Sequence, residues 1–256
     1  MSSDRPSVLV TGGAHRLGKA IVQRFADAGW HVVIHYGRSR HSAEALAVTL
    51  EHAETVGCDL ADGDAAVAMI ASLAGRIPDW RALINCAAIF EFDNVTELDP
   101  ATNERAMQVN ACTPARMAQA YLAGAQARLG RRVIHVTDQK IANPNPDFFS
   151  YTMSKHALAA TVPMLAMGAC RPEDRVYALA PGAILASHDQ REEETELSHR
   201  MNLLARKTAK EEVADAALFL TDGCLKSGQT LFVDSGQHLL RQPRDVIYLA
   251  REGADS

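Results

Sequence analysis

The amino-acid sequence predicts an α/β fold in which a doubly wound parallel sheet of seven strands carries helices on both faces. Short apolar segments alternate with helical patterns along the chain, which is the order that right-handed strand–helix–strand crossovers produce. The 256 residues, 47% of them hydrophobic, can bury a large core. Residues 1–256 are therefore expected to form one domain with a ligand site at the carboxyl ends of the strands.

The first strand, SVLVT (residues 7–11), leads into the turn GGAHRLG and then into a helical pattern that stops at Gly29. Gly12, Gly13 and Gly18 leave room for a close approach, and the free N–H groups at a helix amino terminus attract anions. The arrangement is typical of a Rossmann-type dinucleotide site. Arg16 adds a fixed positive charge suited to a phosphate.

The end of the second strand, residues 31–36, indicates which nucleotide is bound. An acidic residue there would accept hydrogen bonds from the ribose hydroxyls and repel a phosphate placed on them. The strand is followed instead by Gly37, Arg38 and Ser39, which favours NADPH over NADH. The alternative is that Arg38 is an ordinary loop arginine.

The third and fourth strands, near residues 55–58 and 82–86, each end in a possible cofactor contact. Asp59 is positioned to accept a hydrogen bond from the adenine amine, or to cap a helix with Asp62 nearby. The small residues of NCAA (residues 85–88) leave room for the cofactor where it crosses the sheet. Phe90 and Phe92 are expected to edge the cleft.

A long helix over residues 101–129 is expected to carry Asn110, with Pro114 disturbing the turn around it. The strand HVT (residues 135–137) then leads through a loop into a helix with Tyr151 and Lys155. These two residues lie one turn apart, so the ammonium is expected to favour the ionised phenol. Asp138 adds a carboxylate at the end of the strand. Pro163 is expected to kink or shorten this helix.

The remaining chain contains two more strands and two segments outside the sheet. The sixth strand, residues 175–179, runs into APGAIL, and QTLFVD forms the seventh after a last helix that begins near Ala209. The charged residues 187–204 are predicted to form a mobile helical lid. The partly apolar tail, residues 238–256, is expected to pack on a neighbouring subunit.

Composition excludes several classes of function. The formal net charge is −5 with scattered basic residues, so a nucleic-acid or anionic-membrane partner has no electrostatic support. No stretch is apolar enough to span a bilayer, and a cytoplasmic location is expected. The five widely spaced cysteines fit buried, reduced thiols better than disulfides or a metal site.

These residues together resemble the short-chain dehydrogenase/reductase family over nearly the whole chain. The resemblance rests on TGGAHRLG, NCAA, Asn110, the pair Tyr151 and Lys155, PG after the sixth strand, and FVDSG. Most members carry a serine thirteen places before the tyrosine, where Asp138 stands here, and a glycine in place of Arg16. Both departures resemble the pteridine reductases and dihydromonapterin reductases, as do HYGRS and the position of Phe90.

The resemblance implies hydride transfer from NADPH to a C=N bond of a pterin, in a homo-oligomer that is a tetramer or a dimer. Lys155 would bind the nicotinamide ribose and lower the pKa of Tyr151, and Asn110 would hold a water that relays protons to Lys155. The implied cofactor contacts are Gly12, Arg16, Leu17, Gly18, Tyr36, Arg38, Ser39, Asp59, Leu60, Asn85, Ala87, Tyr151, Lys155, Pro181, Gly182 and Ile184. The implied substrate contacts are Arg16, Phe90, Asp138 and Tyr151, with Tyr151 and Asp138 delivering the proton.

Two other interpretations stay open. In a carbonyl or sugar reductase, Asp138 would be a tolerated substitution and Phe90 a hydrophobic wall. A chain that binds NADPH without turnover would serve redox sensing or protein interaction. The complete set of Asn110, Tyr151 and Lys155 argues against it, because a protein without catalysis has no physical need for that arrangement.

Overall fold

A computed structural model describes residues 5–186 and 190–254 and contains one parallel sheet of seven strands. The strand order is β3-β2-β1-β4-β5-β6-β7, which confirms the predicted doubly wound α/β class. The strands are β1 (Ser7–Val10), β2 (His31–Tyr36), β3 (Ala53–Gly57), β4 (Trp80–Asn85), β5 (Arg132–Val136), β6 (Arg175–Pro181) and β7 (Thr230–Val233).

Helices cover both faces of this sheet. They are α1 (Arg16–Asp27), α2 (Arg40–Val48), α3 (Gly63–Ala74), α4 (Pro100–Met107), α5 (Thr113–Gly124), α6 (Phe149–Gly168), α7 (Glu192–Ser198), α8 (Lys210–Thr221) and α9 (Val246–Ala254). Alternate strand residues enter separate cores: Val8 and Val10 pack with α1 and α8, whereas Leu9 packs with α3 and α5. Because both faces of the sheet are buried, the strand sequences are mostly continuous apolar runs.

The crevice for a ligand lies where the strand order reverses, between β1 and β4. Thr11, the residue after β1, holds the ends of these two strands together. Its Oγ1 accepts hydrogen bonds from the N–H groups of Cys86 and Ala87 at 2.9 and 3.0 Å. The glycine turn and the small residues after β4 therefore face each other across a fixed gap.

The long helix predicted over residues 101–129 is shorter and contains a wider turn. A π-helical turn, Gln108–Cys112, separates α4 from α5, and the helix ends at Gly124. The N–H of Thr113 bonds to the carbonyl of Gln108, five residues back. Pro114 has no N–H to offer the carbonyl of Asn110, which accounts for the wider turn around Asn110. By contrast, α6 continues through Pro163 and is not shortened there.

The segments outside the sheet differ most from expectation. Of the predicted lid, residues 187–189 lie outside the described residues, and the rest contains only the short helix α7. The helix α8 is not the last helix, because the tail forms α9. This tail packs on the chain's own segment before and within α6, where Ile247 is buried with Phe148 and Tyr151. None of the helices described is long and apolar enough to cross a membrane.

Candidate active site

A cavity of about 670 Å³ opens at the carboxyl edge of the sheet and joins the glycine turn to the loop that follows β5. It contains every predicted substrate contact. The predicted residues that line it are Gly12, Arg16, Leu17, Gly18, Ala87, Phe90, Asp138, Tyr151, Lys155, Pro181, Gly182 and Ile184. The predicted nucleotide-binding and proton-transfer residues thus meet in one cleft.

The glycine turn is closed so tightly that side chains cannot replace its glycines. A Cβ atom at Gly18 would lie 2.2 Å from the carbonyl oxygen of Gly12. Gly12 has a φ of +66°, and a Cβ there would lie 3.1 Å from the Cα of Ala87. The turn can therefore bring backbone N–H groups at the start of α1 against a phosphate, and its shape fits a dinucleotide.

Arg16 crosses the mouth of the cleft. Its Nη2 donates a hydrogen bond of 2.7 Å to the carbonyl of Ala186, in the loop after β6. The residue adopts a φ of +50°, in the left-handed region that an arginine rarely occupies. The guanidinium thus lies in the cavity wall, between the glycine turn and the loop after β6.

His35 joins the glycine turn to the end of β3, a contact that no sequence signal indicated. Its Nδ1 accepts a hydrogen bond from the N–H of Gly12 at 3.2 Å, and its Nε2 lies 3.0 Å from the carbonyl of Cys58. The ring is therefore neutral, with the proton on Nε2. Burial lowers the pKa of His35 to about 4, which keeps it in this form.

The predicted adenosine contacts lie at the carboxyl ends of β2 and β3. Arg38 is exposed, Ser39 is the N-cap residue of α2, and the ring of Tyr36 lies over Gly57. Asp59 is also exposed, and its Oδ1 accepts a hydrogen bond from the N–H of Ala61. The cap of α3 is Asp62, so the capping alternative for Asp59 is wrong.

Two predicted cofactor contacts lie beneath the cleft. Asn85 is 2% exposed, and its amide Nδ2 lies 3.1 Å from Nδ1 of His135 on the neighbouring strand. Its Nδ2 also donates to the carbonyl of Pro114 at 3.4 Å, and its buried Oδ1 has no hydrogen-bond partner among the described residues. Leu60 is 5% exposed and belongs to the core beside α3 and α5. The small residues of NCAA were expected to leave room for the cofactor, and Cys86, Ala87 and Ala88 line the cavity.

The structure brings Tyr151 and Asp138 into direct contact. The hydroxyl of Tyr151 donates a hydrogen bond of 2.8 Å to Oδ2 of Asp138. Oδ1 of Asp138 accepts from the N–H of Lys140 at 2.9 Å, which fixes the carboxyl group. The Nζ of Lys155 donates to the carbonyl of Val136 at 2.8 Å and lies 5.5 Å from the centre of the Tyr151 ring.

Burial and the Asp138 charge control the protonation of this group. Burial raises the pKa of Asp138 and lowers the pKa of Lys155. The pKa of Tyr151 is raised well above its usual value of 10, first by burial and then by the Asp138 carboxylate. The expected lowering of the tyrosine pKa by Lys155 is therefore wrong for this structure. The phenol keeps its proton and holds it against a carboxyl group.

Asn110 is buried in the π-helical turn and fastens the loop after β4. Its Oδ1 accepts from the N–H of Ile89 at 2.8 Å, and its Nδ2 donates to the carbonyl of Ile89 and to Oγ of Ser154. The side chain thus bonds to the protein on both sides. The expected role of Asn110, holding a water that relays protons to Lys155, stays a prediction.

Aromatic rings form one wall of the cavity. Phe90 stacks on Phe148 with ring centres 4.0 Å apart and meets Tyr151 edge-on at 4.7 Å. Phe148 has a φ of +55°, so a bulky residue is held in the left-handed region beside the reacting groups. Tyr248 of α9 stacks further out on Phe148, at 6.3 Å. Phe148 and Tyr248 were missed because they lie in a loop and a tail without periodic pattern.

The cysteines are all free, but the prediction that they are buried is wrong. Cys112 and Cys224 are exposed, and Cys58, Cys86 and Cys170 are partly buried. Burial of the Cys86 thiol beside the cleft raises its pKa to about 11, so it stays protonated. Among residues 5–186 and 190–254, no three His, Cys, Asp or Glu side chains are grouped to hold a metal ion.

Comparisons with known proteins agree with this geometry. A short-chain dehydrogenase/reductase model described as enoyl-(acyl carrier protein) reductase matches residues 12–238. The chain is 35% identical to an alternative dihydrofolate reductase from Brucella suis, solved in complex with NADP, with a TM-score of 0.86 over 94% of this chain and 98% of that one. It is 25% identical to the dihydromonapterin reductase of Citrobacter koseri, over 93% of this chain and all of that protein. It is 28% identical to a human dehydrogenase/reductase, over 89% of this chain and 86% of that one.

Proposed function

We propose that this chain, which belongs to the short-chain dehydrogenase/reductase family, catalyses the NADPH-dependent reduction of a C=N bond in a pterin. The observation that carries this proposal is the 2.8 Å hydrogen bond from the Tyr151 hydroxyl to Asp138. Similarity to a dihydromonapterin reductase and to an alternative dihydrofolate reductase in complex with NADP supports it. The chain is thus an oxidoreductase with a small-molecule substrate, and its assembly into a homo-oligomer stays a prediction.

The cleft would hold NADPH from the glycine turn to the loop after β6. The N–H groups at the start of α1 would bind the pyrophosphate, and Arg38, with no acid beside it, would bind the 2′-phosphate. Lys155 would hold the nicotinamide ribose, and Pro181 and Gly182 would border the nicotinamide. When bound, NADPH supplies two electrons and a hydrogen to the carbon of the C=N bond.

Asp138 and Tyr151 would supply the proton that the ring nitrogen needs. Burial raises the pKa of Asp138, which favours its protonated form and would let it pass a proton to a ring nitrogen. The hydroxyl of Tyr151 donates to this carboxyl group across the 2.8 Å bond and would hold it toward the ring nitrogen. A serine at position 138 would only polarise a carbonyl, because its hydroxyl has no readily lost proton.

The aromatic wall suits a flat heterocycle. Phe90, which is 40% exposed, borders the cavity beside Tyr151 and can present a ring face to a substrate. Phe148 lies behind it and supports its orientation through a stack at 4.0 Å. A pterin between Phe90 and the nicotinamide would place its ring nitrogens next to Asp138.

The test follows NADPH absorbance with dihydromonapterin, dihydrobiopterin and dihydrofolate, and in parallel with a panel of ketones and aldoses. We expect turnover of at least one pterin, with kcat/KM at least tenfold above that of any ketone. Turnover of ketones alone would contradict the pterin reaction and favour a carbonyl reductase. Binding of NADPH without any turnover would favour a cofactor-binding protein.

A further inference from the structure

We propose that the C-terminal segment completes the active site, with Asp245 acting through Lys140 as a positioning residue for Asp138. This deepens the proposed function, on which it rests, by adding two residues to its proton-donating machinery. Lys140 follows Asp138 by two residues, and its N–H donates to Oδ1 of Asp138 at 2.9 Å. Its ammonium group lies 2.7 Å from Oδ2 of Asp245, and both side chains are less than 10% exposed. One residue thus joins the tail to the carboxyl group that meets Tyr151.

The Lys140 ammonium has a partner for each of its three protons. Besides Asp245, Nζ donates to Oδ1 of Asn145 at 3.0 Å and to the carbonyl of Asp147 at 3.1 Å. The same group lies 5.2 Å from the centre of the Phe148 ring. With all three donors used, Lys140 has one position, and the loop from Asp138 to Phe148 closes around it.

A second link holds the tail against this loop. Arg244 donates to both carboxylate oxygens of Asp147, with its Nε at 2.8 and 3.1 Å, and the N–H of Asp245 donates to the same group at 2.8 Å. Val246 and Ile247 are buried, and Ile247 packs with Phe148 and Tyr151. Residues 245–248 consequently line the same cavity as Asp138.

A purely structural role is the simplest alternative. Buried ion pairs are often no more stabilising than apolar residues of the same size, so stability alone is weak grounds for keeping one here. The position of this pair gives it an electrostatic effect on the reacting groups. The positive charge of Lys140 lowers the pKa of Asp138, and the negative charge of Asp245 raises the pKa of Tyr151.

Two other groups shift the pKa values of Asp138 and Tyr151. Lys155 of α6 lowers the pKa of Asp138, and Cys86 after β4 raises the pKa of Tyr151. Neither is altered by a change at Asp245 or Lys140. Removal of the Lys140 charge and removal of the Asp245 charge are therefore expected to shift the pH profile of kcat in opposite directions. A purely structural role predicts no such opposite shifts.

The experiment compares Asp245→Asn, Lys140→Met, Lys140→Arg and the control Glu252→Gln, which alters an exposed acid of the same tail. Asp245→Asn leaves the Lys140 charge unopposed, so the pKa of Asp138 falls and the alkaline limb of kcat moves to lower pH. Lys140→Met raises that pKa, so the limb moves to higher pH. We expect kcat to fall at least tenfold in both, with partial recovery in Lys140→Arg and a Kd for NADPH within about twofold of the unmodified chain.

Equal melting-temperature losses with an unshifted pH profile would overturn the positioning role. The assay uses whichever substrate the unmodified chain reduces, so a failure of the pterin reaction is seen first and separately in that chain. A crystal structure of Asp245→Asn gives a readout that needs no turnover. We expect the Tyr151–Asp138 hydrogen bond to lengthen or break, and its retention at the original length would overturn the proposal.

Discussion

The nucleotide half and the substrate half of the cleft are built in different ways. The nucleotide half is built from the turns that follow β1 to β4 and β6, and most of its predicted contacts lie within a few residues of a strand end. The substrate half joins residues 138–148 to a tail that is 97 residues further along the chain at the Arg244–Asp147 contact. The difference shows that backbone geometry can be encoded locally, whereas a proton-donating site depends on distant residues that bury its charges.

The largest expected effect is in the substrate half. Replacing Asp138 with Ala removes the proton donor, so pterin reduction is expected to fall by about 10²- to 10⁴-fold. The Kd for NADPH should stay within about twofold, because Asp138 takes no part in the glycine turn. Steady-state kinetics and fluorescence titration of NADPH measure the two effects. An unchanged rate would show that Asp138 does not donate the proton, and it would contradict the separate roles of the two halves.

The next largest effect is a change of cofactor in the nucleotide half. Arg38→Asp replaces a cation with an acid that repels the 2′-phosphate and accepts bonds from ribose hydroxyls. The ratio of kcat/KM for NADPH over NADH is expected to fall by about 100-fold, on the order of 2.7 kcal/mol. Arg40→Gln is the matched control, since its guanidinium is paired with Glu44. Equal use of both cofactors by the unmodified chain would contradict the assignment of Arg38.

A smaller effect tests whether His35 positions the glycine turn. In His35→Asn the amide oxygen can replace Nδ1 as acceptor for Gly12, and in His35→Gln the amide nitrogen can replace Nε2 as donor to Cys58. We expect KM for NADPH to rise about fivefold in the Gln variant and less in the Asn variant, since one lost hydrogen bond costs about 1 kcal/mol. The kcat should not change. Equal KM values in both variants and the unmodified chain would show that the contact has no role in binding.

A separate effect, on stability and not on catalysis, is expected at acid pH. Burial lowers the pKa of His35 to about 4 and that of His135 to about 3, whereas the unfolded chain takes up these protons below about 6.5. Unfolding is therefore favoured as the pH falls, and each ring is expected to cost on the order of 1 to 2 kcal/mol between pH 7 and 5. Denaturant unfolding measures this slope. His35→Gln should flatten it, and an identical slope in that variant would contradict the neutral ring.

The fold and the nucleotide half could be predicted from sequence because each depends on local rules. The bounds of β2 were predicted to the residue. Gly12 and Gly18 were predicted from the motif after β1, and the structure leaves no room for a side chain at either position. The cofactor contact of Asn85 stays a prediction, because the structure shows only that its side chain is buried beside His135.

The substrate half could be predicted only in part. Tyr151, Lys155 and Asp138 were identified by their spacing. The spacing did not reveal that burial and the Asp138 carboxylate raise the pKa of Tyr151. Lys140 and Asp245 resemble surface charges in the sequence, and only the packing of α9 reveals them as buried partners. Within the segment predicted as a lid, the structure describes a helix of seven residues, and a role as a lid stays a prediction.

The central claim is that Asp138 and Tyr151 protonate a ring nitrogen of a pterin, and a crystal structure of the chain with NADP⁺ and a dihydropterin tests it most directly. We expect a carboxyl oxygen of Asp138 to lie within about 3.2 Å of a pterin nitrogen, and the reducible carbon of the pterin to face C4 of the nicotinamide. A pterin bound with its C=N bond away from Asp138, or a carboxyl group turned out of the cleft, would contradict it.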